Sequence, residues 1–284
     1  MLILNQNYFY SGSVNLTPTD AADLIRNETP YVVDAINEFM AATFTTRGGR
    51  LGSGMGLLLE GLWGYHMSNA IAGHGIEIAW MADDMYNDYA CLDIDSDWDP
   101  VTGEGELFRI EAKSMNLGAD ESKAHFAELI SGIDPNDLLL VITWRWEPLG
   151  FRVHPKIVDV FIERARPIAE LRDQLHLARG GSFVDPYNCP DGCNPQLCQH
   201  AGEPLNAAGK RERLSGPESA RPSQRVSFAA NFGGLFRMIG VREASTRRLL
   251  DQIRESSREA DDYVAFVNRA RGRLESGGRA GRLD

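Results

Sequence analysis

The residues best equipped for chemistry fall in two groups. The first lies in LDIDSDWDPVTGEGELFRIEAKS, residues 92–114. Glu111 and Lys113 stand two apart, so on a strand both project from one face. An antiparallel register that sets Asp93 opposite Glu111 puts Asp95 opposite Arg109 and Cys91 opposite Lys113, and turns the hairpin at Thr102. One face then carries Asp93, Asp95, Arg109, Glu111 and Lys113, and the other carries Leu92, Ile94, Phe108, Ile110 and Ala112. Asp88 is the competing partner for Glu111. That register would send Asp93 and Asp95 among Phe108, Ile110 and Ala112, at a cost on the order of several kcal/mol for two unpaired buried carboxylates. The expectation is therefore Asp93, with a β-bulge as the one route back to Asp88. Two carboxylates on neighbouring strands suit Mg²⁺, a hard cation that prefers oxygen ligands. An adjacent lysine can orient or deprotonate a water, or contact a phosphate.

The second group is NCPDGCNPQLCQH, which brings Cys189, Cys193, Cys198 and His200 within twelve residues. In a reducing compartment such a cluster reads as a metal site rather than as disulfides. Three thiolates and an imidazole make a closed, tetrahedral and hence structural Zn²⁺ site. A catalytic zinc at these residues is the rejected alternative, because four protein ligands leave no position open for water. The following stretch, GKRERLSGPESARPSQR, supplies Lys210, Arg211, Arg213, Arg221 and Arg225, the best phosphate-contacting loop in the chain.

Elements must hold these groups in place. Residues 16–46 read as helical, with Thr17-Pro18 and Thr29-Pro30 punctuating two starts. LLLEGLWGYHMSNAIAG is an apolar helix ended by Gly73 and Gly75. IEIAWMA, YACLDID and ELFRIEAKS read as strands around a turn in DWDPVTGEG. ADESKAHFAELISG reads as a helix capped by Gly132. There Lys123 pairs with Glu121 and Glu128 on the helix surface, and His125 is a capping or packing residue rather than a base. DLLLVITWRW is a buried strand ending in Trp144 and Trp146, which pack at the core or its rim. VHPKIVDVFIERARPIAELRDQLHLARGG reads as helix, and so does the amphipathic tail from Ser245. This order implies an α/β fold: a mixed central sheet flanked by helices over 1–150, then a mainly helical, zinc-stapled and arginine-rich region over 151–284.

Composition narrows the class. The 284 residues are 43% hydrophobic and 24% charged, as in a globular protein with a sizeable core. No run is long and apolar enough for a membrane span. The start lacks the basic flank and cleavage site of a secretory signal, so a cytoplasmic protein is expected. The net charge of −11 conceals a division. Residues 1–150 hold 7 Lys/Arg and 23 Asp/Glu, whereas residues 151–284 hold 22 and 17. Nearly all the basic residues of the second part are arginine, whose planar fork suits bidentate phosphate contacts.

Asp93 followed by Glu111-Ala112-Lys113, in a hairpin between two helices, resembles the PD-(D/E)XK nuclease superfamily, with its restriction-endonuclease-like fold. The similarity spans about residues 51–147. No proline precedes Asp93, and the Asp-to-Glu gap lies towards the long side. The resemblance implies a Mg²⁺-dependent (or Mn²⁺-dependent) DNA endonuclease, most simply of restriction type. Asp93, Glu111 and Lys113 would be catalytic, and Glu60, on the helix before the hairpin, would be a further metal ligand. Such an enzyme would cut both strands of DNA as a homodimer. The rival expectation is a catalytically silent nuclease fold used as a nucleic-acid-binding or assembly module.

Overall fold

A computed structural model describes residues 16–46, 54–81, 87–118, 125–205, 209, 232–236, 238–239 and 244–277. The chain divides into two compact units. One comprises residues 1–114 and 134–163; the other comprises residues 115–133 and 164–284.

The first unit is built on a five-stranded mixed sheet in the order β1-β2-β3-β4-β5. Its strands are Ile76–Trp80, Tyr89–Asp93, Glu106–Asn116, Leu138–Leu149 and Arg152–Arg164. β1, β2 and β3 form an antiparallel meander. Only Gly150 and Phe151 separate β4 from β5, a connection that forces an antiparallel pair. Gly150 has φ +59°, as the first central position of a type II′ hairpin demands. The parallel pair of the mixed sheet is therefore β3–β4, whose connection is long enough for a crossover. β4 starts beside the middle of β3, where Asp137 Oδ1 accepts from the Arg109 backbone N–H at 2.8 Å.

Two helices cover the core. α1 (Pro18–Thr43) is capped by the Thr17 hydroxyl, which accepts from Asp20 N–H. It buries Ala21 and Ala22 and then Ile25, Thr29, Val32, Ile36 and Met40, which follow at intervals of three and four along one face. α2 (Met55–Ala70) adds Leu59, Trp63 and Met67. These pack with Tyr89, Cys91, Phe108, Ile110 and Ala112, and with Leu138, Leu140, Ile142 and Trp144. The alternation in β3 is as expected: Phe108, Ile110 and Ala112 turn to the core while Arg109, Glu111 and Lys113 do not.

The second unit holds α3 (Ala165–Ala178), a two-stranded ladder of β6 (Ser182–Phe183) and β7 (Pro204–Leu205), and the helices α4 (Ala244–Ser256) and α5 (Arg258–Gly277). Buried Arg172 of α3 lies between the rings of Phe126 and Phe232 and donates to the Phe126 carbonyl. None of the helices in the described residues is long and apolar enough to cross a membrane.

Several expectations are corrected. Thr29-Pro30 starts no new helix, and α1 runs through it. The stretch expected as helix from Val153 is strand β5 first and helix only from Ala165. The β-branched Ile157, Val158, Val160 and Ile162 favour extended backbone, and β4 offers them a partner. A boundary at 150 would cut the β4–β5 hairpin, so the division into 1–150 and 151–284 gives way to the interleaved units. In the stretch expected as a capped helix, the described residues form only a 3₁₀ turn at Ile130–Gly132. His125 instead bridges Gly234, and Phe126 N–H donates to the Gly233 carbonyl. Glu121 and Lys123 lie outside the described residues, as do Lys210, Arg211, Arg213, Arg221 and Arg225. The tail is two helices, broken at Ser257, whose hydroxyl accepts from the Ala260 N–H of α5.

Candidate functional site

The β2–β3 register decides which carboxylate faces Glu111. Tyr89 pairs with Ile110, Ala90 with Arg109 and Cys91 with Phe108; a bulge then shifts Leu92 onto Glu106. Continued by one residue, this ladder sets Asp88 beside Glu111. Asp88 N–H donates to the Ile110 carbonyl (3.1 Å), and its Oδ2 accepts from Ala112 N–H at 2.7 Å. The expected pairing of Asp93 with Glu111 does not form. Asp93 stands at the opposite end of β2, opposite Ile76, and its Oδ1 caps a turn by accepting from Asp95 N–H. The cost that argued against this register is avoided because β2 stops at Asp93 and Asp95 lies exposed in the turn.

Around Asp88 the remaining expected residues converge. Lys113 forms an ion pair with Glu111 and lies 3.9 Å from Asp88 Oδ2. Glu60 reaches the same place from α2, where its carboxylate accepts from the Ser114 backbone and feels the charges of Asp88, Lys113 and Glu111. The helix is fixed against the sheet at this point. Tyr89 OH donates to the Glu60 carbonyl at 2.5 Å, and the Tyr89 ring lies between Trp63 and Trp80. Gly64 makes room for it, since a Cβ there would come within 2.8 Å of Tyr89 Cε1.

The electrostatics follow from three carboxylates facing one ammonium in a partly buried place. Burial, then the charge of Asp88, pushes the Glu60 carboxyl up to about 7, against the pull of Lys113. Burial also raises Glu111, again against Lys113. Burial alone would lower the Lys113 ammonium, but the charges of Glu111 and Asp88 outweigh it and hold it above its ordinary value.

The second cluster is the cysteine–histidine group. One ligand atom each from Cys189, Cys193, Cys198 and His200 lies within 4.8 Å of all the others, so the group can hold a metal ion such as zinc. His200 Nδ1 is 3.5 Å from Cys189 Sγ and 3.3 Å from Cys193 Sγ. The chain builds this with a repeated turn, Asp185-Pro-Tyr-Asn-Cys189 and Asn194-Pro-Gln-Leu-Cys198. In each, the Asx side chain caps a 3₁₀ turn begun by proline, and a cysteine follows. Gly192 (φ +69°) turns the chain between Cys189 and Cys193, and the β6–β7 ladder closes the ends. Val184, Cys189 and Leu205 form its small apolar core.

Asp88 is the functional candidate that sequence reasoning set aside. Asn87, two residues before β2 begins, has a left-handed backbone (φ 74°). No protein-family model, curated protein or solved structure matches this chain.

Proposed function

We propose that the first unit is a Mg²⁺-dependent DNA endonuclease of the PD-(D/E)XK kind, with Glu60, Asp88 and Glu111 as the metal-holding carboxylates and Lys113 as the catalytic ammonium. The observation that carries this reading is the charge imbalance. Three carboxylates and one ammonium gather where α2 meets β2 and β3, where burial, and after it the charge of Asp88, raises Glu60. Buried charge of one sign is costly unless a counter-charge is supplied, and a divalent cation with oxygen ligands supplies it. Mg²⁺ held there would neutralise charge on a scissile phosphate and acidify a water. The chain's own groups do the rest. Asp88 is aimed by the Ala112 N–H and Glu60 by the Ser114 backbone, so two carboxylates are oriented by the strand they face. Glu111 would hold the cation together with Asp88 and Glu60, and the Lys113 ammonium would contact the phosphate and orient the attacking water.

The Cys189, Cys193, Cys198 and His200 cluster we assign to structural Zn²⁺, since four protein ligands close the coordination shell.

Supercoiled plasmid DNA with Mg²⁺ or Mn²⁺ tests the reading. Nicking or linearisation is expected in the wild type and is lost in Lys113→Ala and Glu111→Ala with the fold intact. DNA binding without cleavage by the wild type, across many substrates, would favour a silent nuclease fold that serves as a nucleic-acid-binding module.

A further inference from the structure

Trp80 ends the edge strand β1, and 47% of it is exposed although it touches the buried apparatus of the site. Its ring centroid is 4.8 Å from that of Tyr89, at a 57° tilt. On the helix side it lies over two glycines of α2. A Cβ at Gly61 would stand 3.7 Å from the outer carbons of the indole, and one at Gly64 would stand 3.5 Å from its nitrogen. The indole is thus supported by rigid neighbours rather than left free. Exposed Leu57 and Tyr65 fall one helical turn to either side of Gly61, so they extend the same surface along α2.

Its place relative to the carboxylates is set by the ladders. Trp80 pairs with Tyr89, Tyr89 with Ile110, and the next residue, Met81, donates its N–H to the Asp88 carbonyl at 3.0 Å. The ladder puts the Trp80 ring on the Tyr89–Ile110 face of the sheet and not on that of Glu111 and Lys113, so it borders the site from the α2 side, against Gly61 next to Glu60, with the Met81 backbone beside Asp88.

We propose that Trp80, backed by Tyr89 and the Gly61–Gly64 face of α2, is the platform on which an unpaired DNA base stacks beside the scissile phosphate. Identifying the ligand as DNA rests on the nuclease reading above. The chemistry selects the substrate class: a base inside a duplex has both faces covered, whereas a single-stranded or extruded base offers a free face to an aromatic ring. An uncharged ring also suits this position, since the neighbouring carboxylates repel phosphate and leave the base as the part of the strand that can be gripped without charge.

The test measures binding rather than cleavage. Fluorescently labelled phosphorothioate oligothymidylate, alone or annealed to oligoadenylate, is titrated with the full chain in Mg²⁺, and anisotropy is read. The single strand is expected to bind more tightly than the duplex. Trp80→Ala and the similarly bulky Trp80→Leu should weaken single-strand binding about tenfold, within the range found for loss of one stacked base. Trp80→Phe should stay within about threefold of wild type, and duplex binding should be unchanged in all three. Thermal melting checks the fold, and the Leu–Phe comparison stands even if Trp80→Ala does not fold. Equal binding by the Leu and Phe variants, equal losses on strand and duplex, or no strand binding by the wild type would each overturn the proposal. The plasmid assay decides the other reading independently. Trp80-dependent strand binding without cleavage removes the nuclease and leaves the platform; Lys113-dependent cleavage with wild-type strand affinity in Trp80→Leu does the reverse.

Discussion

At the scale of single residues, the exchange of Asp93 for Asp88 turns on the register of one strand pair. Tyr89 opposite Ile110 and Cys91 opposite Phe108 keep the core face of β2 and bring Asp88 to Lys113, and the bulge after Cys91 shifts only Leu92 onto Glu106. Asp88→Asn removes a charge beside Lys113, so Mg²⁺-dependent cleavage should fall at least about 100-fold, the scale on which a directly acting polar group is felt. Asp93→Asn only alters a turn and should leave the rate within about twofold; single-turnover assays compare the two. Glu60 gives a second prediction. Its folded carboxyl titrates near 7 against an ordinary 4.5. Between those values the folded protein keeps a proton that the unfolded chain releases. Without added divalent cation, wild type should therefore lose stability across that window relative to Glu60→Gln. The loss is on the order of 3 kcal/mol by pH 7, read from urea unfolding at a series of pH values. Glu111 with Lys113 and the Cys–His cluster were legible because each depends on spacing along one element or one short loop, whereas Glu60 came from the family resemblance. Asp88 was weighed and ranked second, because a pairing register is set by how two strands meet.

Elements were legible where one pattern held from end to end. The amphipathic face of α1, the alternation of β3 and the apolar run of β4 all came from local periodicity. β5 was missed because charged and apolar residues alternate irregularly over Lys156–Arg164, and the helical pattern of α3 follows without a break. What makes it a strand is β4 beside it, which no local window contains. α1 misleads in the opposite sense, since a proline that ought to begin a helix is carried inside one. Its missing N–H costs one hydrogen bond, and the buried faces of Val32, Ile36 and Met40 beyond it outweigh that loss. The seam between α2 and β2 is the most constrained contact near the site. Gly64→Ala would drive a methyl group into the Tyr89 ring, which is itself buried between two indoles. It should cost about 1–3 kcal/mol in denaturant unfolding. It should also reduce cleavage, because the same ring holds the Glu60 backbone.

For the molecule as a whole, the interleaving of the two units matters more than their number. Residues 1–114 and 134–163 carry 22 acidic and 8 basic residues, a net of −14, and the other unit carries 18 and 21, a net of +3. The charge asymmetry seen along the sequence thus survives the redrawn boundary, although the boundary itself was hidden by β5. A chain ended at Gly150 would lose β5 and with it the buried Ile157 and Phe161, exposing β4, which is buried along Leu138–Trp144. Such a chain should be recovered as aggregate, by the logic of an exposed apolar edge, whereas the full chain should stay in the supernatant after centrifugation. The cysteine–histidine cluster lies wholly in the second unit, and its apolar core is small, so a bound ion would supply much of the local folding energy. The protein should carry about one Zn²⁺ per chain by elemental analysis. Stripping that zinc, or Cys193→Ser, should open residues 182–205 to proteolysis while the first unit keeps its amide protection in hydrogen exchange. Loss of protection throughout the sheet on zinc removal would instead show that the first unit cannot hold its fold without the metal centre of the second.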